Sequence, residues 1–65
     1  MNTSDFDSTV AGIPCGIYII DADELEFGVL DRKGYEAPWL YDKLTYSDKL
    51  RIGGEIIEYI EWRNS

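Results

Sequence analysis

The sequence predicts an α+β fold in which a β-hairpin, with or without a third edge strand, packs against two helices. Two observations support the hairpin: residues 15–30 alternate side chains in β-favouring runs, and turn-forming aspartates separate the runs. A third observation supports the helices, because Pro38 and a helical apolar period from Tyr46 onward follow the hairpin. We expect a β-hairpin over about residues 15–32, a short helix at 38–43 and a longer helix at 46–62 lying across the sheet.

The first twelve residues differ in composition from the rest of the chain. Residues 1–12 are mostly small, polar or acidic, with Phe6 and Val10 as isolated apolar side chains. This composition favours a flexible N-terminal arm followed by a single small domain over residues 13–65. The alternative is a short edge strand at residues 8–11. Two strands and one long helix enclose a thin core, so either this edge strand or pairing of two chains as a homodimer would complete it.

The predicted hairpin begins in the run "CGIYII". In an extended chain, Cys15, Ile17 and Ile19 lie on one face and Tyr18 and Ile20 on the other. The following "DADE" is rich in turn formers, and "LEFGVLDR" alternates again. Two antiparallel strands joined at "DADE" explain this pattern.

The short helix is predicted from its first residues. Gly34 suits a turn, and Pro38 suits the first turn of a helix, so a helix should run through "PWLYDKL". At this chain length an aromatic cluster usually belongs to the core. We therefore expect Trp39 in the core and Tyr41 at the surface.

The adjacent glycines Gly53 and Gly54 permit either a hairpin or a continuous helix. A two-residue hairpin would place Lys49, Arg51 and Glu58 on one face with isoleucines, which suits neither core nor surface. A helix instead separates the two kinds of residue. Its apolar arc contains Tyr46, Leu50, Ile52, Gly53, Ile56, Ile57, Tyr59 and Ile60, and its polar arc contains Ser47, Asp48, Arg51, Glu55, Glu58 and Glu61.

The start of this helix has its own signal. Thr45, followed three residues later by Asp48, resembles a capping box in which Asp takes the usual Glu or Gln place. The helix template therefore explains both the spacing of apolar residues and the N-terminal boundary. Gly53 falls inside the apolar arc, and Gly54 falls near its polar edge.

Charge excludes several classes of partner. The 65 residues include thirteen acidic and six basic side chains, with a net charge of −7. Direct binding to nucleic acid or to an anionic membrane is disfavoured, because both require basic residues. No secretory signal opens the sequence, and a single cysteine, Cys15, suits a reducing compartment. We expect a cytoplasmic protein.

Catalytic and metal-binding patterns are missing. Histidine is absent, which excludes the common nucleophile–histidine pairs and the commonest zinc ligand. Cys15 reads as a buried structural thiol, and a calcium loop starting at Asp21 would need Gly at Glu26 and Glu at Arg32. The two glycines do not follow a strand, so they form no phosphate loop. We predict no catalytic residue, metal site or cofactor, and no enzyme activity.

One stretch of the chain carries a family resemblance. The run "EFGVLDRKGYEAPWLYDKLTYSDKLRIGGEI" resembles small proteins of bacteriophages and prophages that share E-F-x-V-L-D-R-x-G-x-x-A-P-W-L, then K-L-T and an acidic helix. "GIPC" is similar to their opening. Those proteins carry charged helix formers where this chain has Gly53 and Gly54. The resemblance implies a phage origin and carries no activity over to any residue.

The acidic residues and one tryptophan are the candidates for partner binding. The helical projection places Trp62 on the acidic face, where it either anchors an interface or folds back near the C-terminus. We predict a non-enzymatic phage accessory protein that binds and inhibits a host protein with a basic surface, in one version as a nucleic-acid mimic against a nuclease or defence complex. The alternative is a self-assembling structural or morphogenesis component. The candidate partner-binding residues are Asp21, Asp23, Glu24, Glu55, Glu58, Glu61 and Trp62.

Overall fold

The chain folds as the predicted α+β domain, a three-stranded antiparallel sheet with a short helix and a C-terminal helix. The computed structural model describes residues 3–65. The strands lie side by side in chain order. The elements are β1 (Phe6–Val10), β2 (Ile13–Asp21), β3 (Glu26–Leu30), α1 (Pro38–Tyr41) and α2 (Tyr46–Asn64).

β1 lies in the segment where composition favours a flexible arm. Residues 6–10 pair with β2 along their whole length, so the structure differs from the arm prediction there and matches the edge-strand alternative, which starts earlier than predicted. The reason is that Val10 is fully buried and Phe6 packs against the core, so the strand gains apolar contacts despite its polar composition. The part of the predicted arm at residues 1–2 lies outside the described residues.

A tight turn joins β1 to β2. Val10 pairs with Ile13, which leaves Ala11 and Gly12 as a two-residue connection. Both have positive φ, 53° and 76°, as a type I′ turn requires. This turn makes β2 begin at Ile13 instead of Cys15.

The predicted hairpin at "DADE" is confirmed, with β2 antiparallel to β3. Cys15 and Ile17 are buried and Ile19 is partly buried, as the alternation predicts. β3 ends at Leu30, before the predicted limit at residue 32. Beyond it the chain turns back, and Glu36 forms a bridge with Leu30 along the outer edge of β3.

α1 is shorter than predicted, and the prediction that Trp39 belongs to the core is wrong. The helix has a single turn, residues 38–41, and buries only Leu40, while the Trp39 side chain is 52% exposed. Four residues present only one side chain inward because neighbours on a helix are about 100° apart. Tyr41 is at the surface, as predicted.

α2 is one continuous helix through Gly53 and Gly54, which confirms the helical template. It extends two residues beyond the predicted end. Thr45 Oγ1 accepts a hydrogen bond from the backbone of Asp48, and the Thr45 N–H donates to Asp48 Oδ2, so the predicted capping box is present. The helix therefore starts where its sequence signal lies.

The apolar arc predicted for α2 is only partly buried. Ile52, Gly53 and Ile56 face the sheet, whereas Tyr46, Leu50 and Ile57 are exposed. A helix lying on one small sheet is covered along one stripe, and the predicted arc covered half its circumference. The core cluster consists of Val10, Cys15, Ile17, Phe27, Val29, Ala37, Leu40, Ile52 and Ile56.

Candidate interaction surface

The C-terminal half of α2 carries exposed acidic side chains beside an exposed tryptophan. Glu58 and Glu61 are exposed, and Trp62 is 72% exposed. Spacings of three and four residues place these side chains on one side of the helix. We call Glu58, Glu61 and Trp62 the α2 acidic surface.

Glu55 belongs to the fold as much as to this surface. Ser8 Oγ, on β1, donates a hydrogen bond to Glu55 Oε1 at 2.7 Å, and Arg51 donates to Glu55 Oε2 at 3.1 Å. The carboxylate is half-buried between α2 and β1. Of the predicted contact residues on α2, Glu55 thus fastens the helix to the edge strand.

Arg51 completes this connection. Its Nη1 donates to Ser8 Oγ at 2.9 Å, and its Nη2 donates to the backbone carbonyl of Thr9 at 2.6 Å. Arg51 also forms ion pairs with Asp48 and Glu55, and these are the two side-chain ion pairs found within residues 3–65. The basic residue best placed to neutralise this side of α2 is therefore engaged by β1, and sequence reasoning missed this because it left β1 in doubt.

Trp62 stands at the end of a row of aromatic rings. Phe6 lies 5.5 Å from Tyr59, and Tyr59 lies 6.1 Å from Trp62, measured between ring centroids. The Arg63 guanidinium is 5.8 Å from the centre of the Tyr59 ring. The row connects β1 to the end of α2, and it holds Trp62 beside a packed ring while most of the indole faces solvent.

The turn between β2 and β3 carries the other predicted acidic residues. Asp21 Oδ1 accepts hydrogen bonds from the backbone of Asp23 and Glu24, at 3.0 and 3.3 Å, so Asp21 orders the turn. All three residues are exposed. The structure therefore places the predicted carboxylates in two groups, one at this turn and one on α2.

The turn nevertheless lies against α2. Leu25, at the end of the turn, has a positive φ of 54°, and its Cδ1 lies 3.6 Å from where a Cβ on Gly53 would be. A Cβ at Gly53 would therefore meet Leu25 at an ordinary van der Waals distance, and the space beyond it is taken by Leu25. Through this contact the acidic turn is attached to the middle of α2.

A second exposed feature of α2 is apolar. Tyr46 is 77% exposed and Leu50 is 60% exposed, and Ile57 lies on the same side at helical spacing. Gly54 is exposed nearby, and a Cβ added there would meet no atom within 4 Å. We call Tyr46, Leu50 and Ile57 the α2 apolar stripe.

The one cysteine lies away from these surfaces. Cys15 is buried in the core cluster, and burial raises the pKa of its thiol, which disfavours the reactive thiolate. Within the described residues no three acidic or cysteine side chains come together as a metal site would need. No helix in this part of the chain is both long enough and apolar enough to cross a lipid bilayer.

Comparison with protein families identifies what kind of protein this is. A family model described as "YuA phage, Gp49" matches residues 18–56, from the middle of β2 to α2. The match covers more than half of the chain, so the chain belongs to the YuA phage Gp49 family. The predicted phage origin is confirmed at the level of this family, whereas the sequence pattern quoted above stays a prediction. Comparisons with curated proteins and with solved structures gave no significant match.

Proposed function

We propose that this phage protein works without catalysis, by binding a host protein that has a basic surface and inhibiting it in the host cytoplasm. The α2 acidic surface is the observation that carries the proposal. It combines carboxylates that speed encounter with a basic partner and a tryptophan that supplies desolvated contact area. Neither nucleic acid nor a membrane is a direct partner in this proposal, since both would meet the same negative field.

The charge distribution supports a basic partner. Thirteen acidic residues face six basic ones, and Arg51 is engaged with β1, Asp48 and Glu55. The other arginine of α2, Arg63, lies over the Tyr59 ring, and neither arginine forms an ion pair with Glu58 or Glu61 in residues 3–65. A basic groove that normally receives phosphates would recognise such a surface, and this defines the more specific form of the proposal, imitation of nucleic acid against a nuclease or defence complex.

Affinity capture with matched variants tests the proposal. Parent protein and the variants Glu58→Lys, Glu61→Lys and Trp62→Ala are used as bait in a lysate of the bacterial host. Asp7→Lys makes the same charge change on the opposite face of the sheet, and Trp39→Ala removes an exposed tryptophan elsewhere. We expect a host protein that the parent and both control variants retain and the α2 variants lose.

The mimicry form has its own readout. If the captured host protein binds duplex DNA, this protein and the DNA should compete for it, and added DNA should displace the complex. If the host protein binds DNA and this protein at the same time and independently, mimicry is contradicted. An activity assay of the host protein then tests whether this protein inhibits it without competing for DNA.

The α2 apolar stripe favours a second candidate function, self-assembly into a homodimer or a larger structural component. Burying exposed apolar side chains between copies is favourable, and salt strengthens it or leaves it unchanged. Sedimentation velocity of the parent and Leu50→Glu at low and high salt tests this candidate. Association that persists in high salt and disappears in Leu50→Glu supports it, and a monomeric parent at every concentration contradicts it.

A further inference from the structure

A further acidic feature lies at the β3 edge of the sheet, between β3 and α1. A groove of about 390 Å³ is lined there by three carboxylates, from Glu26, Glu36 and Asp42, and by the rings of Tyr18 and Tyr41. No lysine or arginine is among its lining residues in the described part of the chain. No residue of the α2 acidic surface lines this groove, so the two are separate sites.

The wall of the groove is held in place by the fold. The Tyr18 ring lies over Gly28, where an added Cβ would overlap the ring. Its hydroxyl donates a hydrogen bond to Glu36 Oε1 at 2.8 Å, and this bond to a carboxylate raises the pKa of Tyr18. Backbone pairing of Glu36 with Leu30 fixes the other end of the bond. The ring and the carboxylate are therefore positioned before any ligand arrives.

From this geometry we propose that the groove binds an arginine side chain of a basic protein segment. A guanidinium stacks on tyrosine rings and donates hydrogen bonds in a planar fork, so one arginine satisfies both the aromatic wall and the acidic rim. Tyr18 takes only one oxygen of Glu36. The groove volume falls within the range of small-ligand sites. The proposal goes beyond the function proposed above and stands independently of the α2 acidic surface.

One lysine of the protein modulates the site. Lys49 Nζ lies 6.0 Å from the centre of the Tyr41 ring, which shows that this ring is within reach of a cation. Its positive charge opposes an incoming guanidinium. Replacing Lys49 should therefore strengthen binding, whereas replacing Glu36 should weaken it.

The test is an NMR titration of the full ¹⁵N-labelled chain with two blocked peptides, acetyl-Gly-Arg-Gly-amide and the same peptide with citrulline, which keeps the shape without the charge. We expect saturable shifts at Gly28, Glu36 and Asp42 with the arginine peptide only. Glu36→Gln should weaken binding about three- to tenfold, as loss of a partly exposed charge-assisted contact does. Lys49→Met should strengthen it, and Glu58→Gln, which makes the same change on α2, should leave it unchanged.

Three results would overturn the assignment. They are equal shifts with the citrulline peptide, shifts spread equally over the carboxylates of α2, and no saturable shift at all. Glu58→Gln alters only the α2 acidic surface. The titration can therefore contradict the groove while the α2 proposal stands, and the α2 proposal can fail while the groove still binds arginine.

Discussion

The unusual backbone conformation of Leu25 brings its side chain against Gly53. A leucine with positive φ is unusual, because the left-handed conformation costs an L-residue roughly 1–2 kcal/mol. Here the conformation directs the Leu25 side chain toward Gly53, where only hydrogen occupies the side-chain position. An alanine Cβ at position 53 would make an ordinary contact with Leu25, so the packing limits the size of the side chain there without requiring glycine. Gly54 has no such neighbour, and the structure gives no packing reason for it.

The two glycines should respond differently to substitution. Gly54→Ala should stabilise the fold by up to about 1 kcal/mol, because alanine is the better helix former and its Cβ meets nothing. Gly53→Leu should destabilise it by roughly 1–3 kcal/mol through overpacking against Leu25. Gly54→Leu, the matched control, should be close to neutral. Denaturant unfolding measures all three, and equal effects of leucine at both positions would contradict the observed helix rotation.

The turn between β1 and β2 contains a residue whose substitution should stabilise the fold. Ala11 has a φ of 53°. Asparagine tolerates this conformation better than alanine does, and type I′ turns favour asparagine at this position. Ala11→Asn should raise the free energy of unfolding by up to about 1 kcal/mol. Gly12→Ala should lower it by a similar amount, because φ is 76° there although space is available. If Ala11→Asn lowers the unfolding midpoint, the turn is not the one described.

α2 shows which features of a helix can be predicted from the sequence. Its start, its length and its continuity through Gly53 and Gly54 follow from local signals, namely the capping box and the helical period. Which part of its apolar arc is buried depends on the size of the sheet beneath, which is not a local property. For this reason Tyr46 and Leu50 belong to the apolar arc that the sequence predicts and are nevertheless exposed.

The predictions for residues 6–10 and for Trp39 differ from the structure for related reasons. An edge strand with one covered face needs few apolar residues, and Phe6 and Val10 alone resemble an arm until the partner strand is known. Trp39 is apolar, yet a single helical turn has one inward position, which Leu40 takes. The groove around Tyr18 could not be predicted from the sequence either, because it depends on Glu36 pairing with Leu30 across a loop.

The capping box of α2 makes stability depend on pH. Hydrogen bonding from the Thr45 backbone, helped by the Thr45 hydroxyl and Arg51, holds the pKa of Asp48 below its ordinary value. A lowered folded-state pKa means that Asp48 stabilises the fold fully above the ordinary carboxyl pKa, about 3.9, and that this contribution disappears as pH falls through the folded value. Asp48→Asn should thus be less stable than the parent at neutral pH, and the difference should shrink in acid. A difference that is constant from neutral pH into acid would contradict this.

Thr45→Ala tests the other half of the box. Removing the hydroxyl that accepts from the Asp48 backbone should cost about 0.5–2 kcal/mol of stability. Thr45→Ser keeps the acceptor and is the matched control. Thermal or denaturant unfolding compares the two, and equal destabilisation by alanine and serine would show that the hydroxyl does not act as a cap.

On the scale of the whole molecule, charge and packing divide the surface into separate regions. Arg51 joins α2 to the edge strand through hydrogen bonds to Ser8 and Thr9, and the α2 acidic surface lies further along the same helix. The groove between β3 and α1 is acidic as well, at the β3 edge of the sheet. A YuA phage Gp49 family protein with this arrangement presents carboxylates in two places, on α2 and at the groove, and the proposed function assigns a basic partner to the carboxylates on α2. The α2 apolar stripe supplies the alternative proposal of self-association.

The measurement that tests the central claim most directly is calorimetry of the parent, Glu58→Lys and Trp62→Ala with the captured host protein at two salt concentrations. If the α2 acidic surface binds the partner, affinity for the parent should fall with salt, because screening weakens attraction between charges. Glu58→Lys should bind more weakly and depend less on salt, and Trp62→Ala should lose about 2 kcal/mol or more, as a buried interface anchor does. Binding that is equal for all three proteins and insensitive to salt would contradict the account and favour association through the α2 apolar stripe.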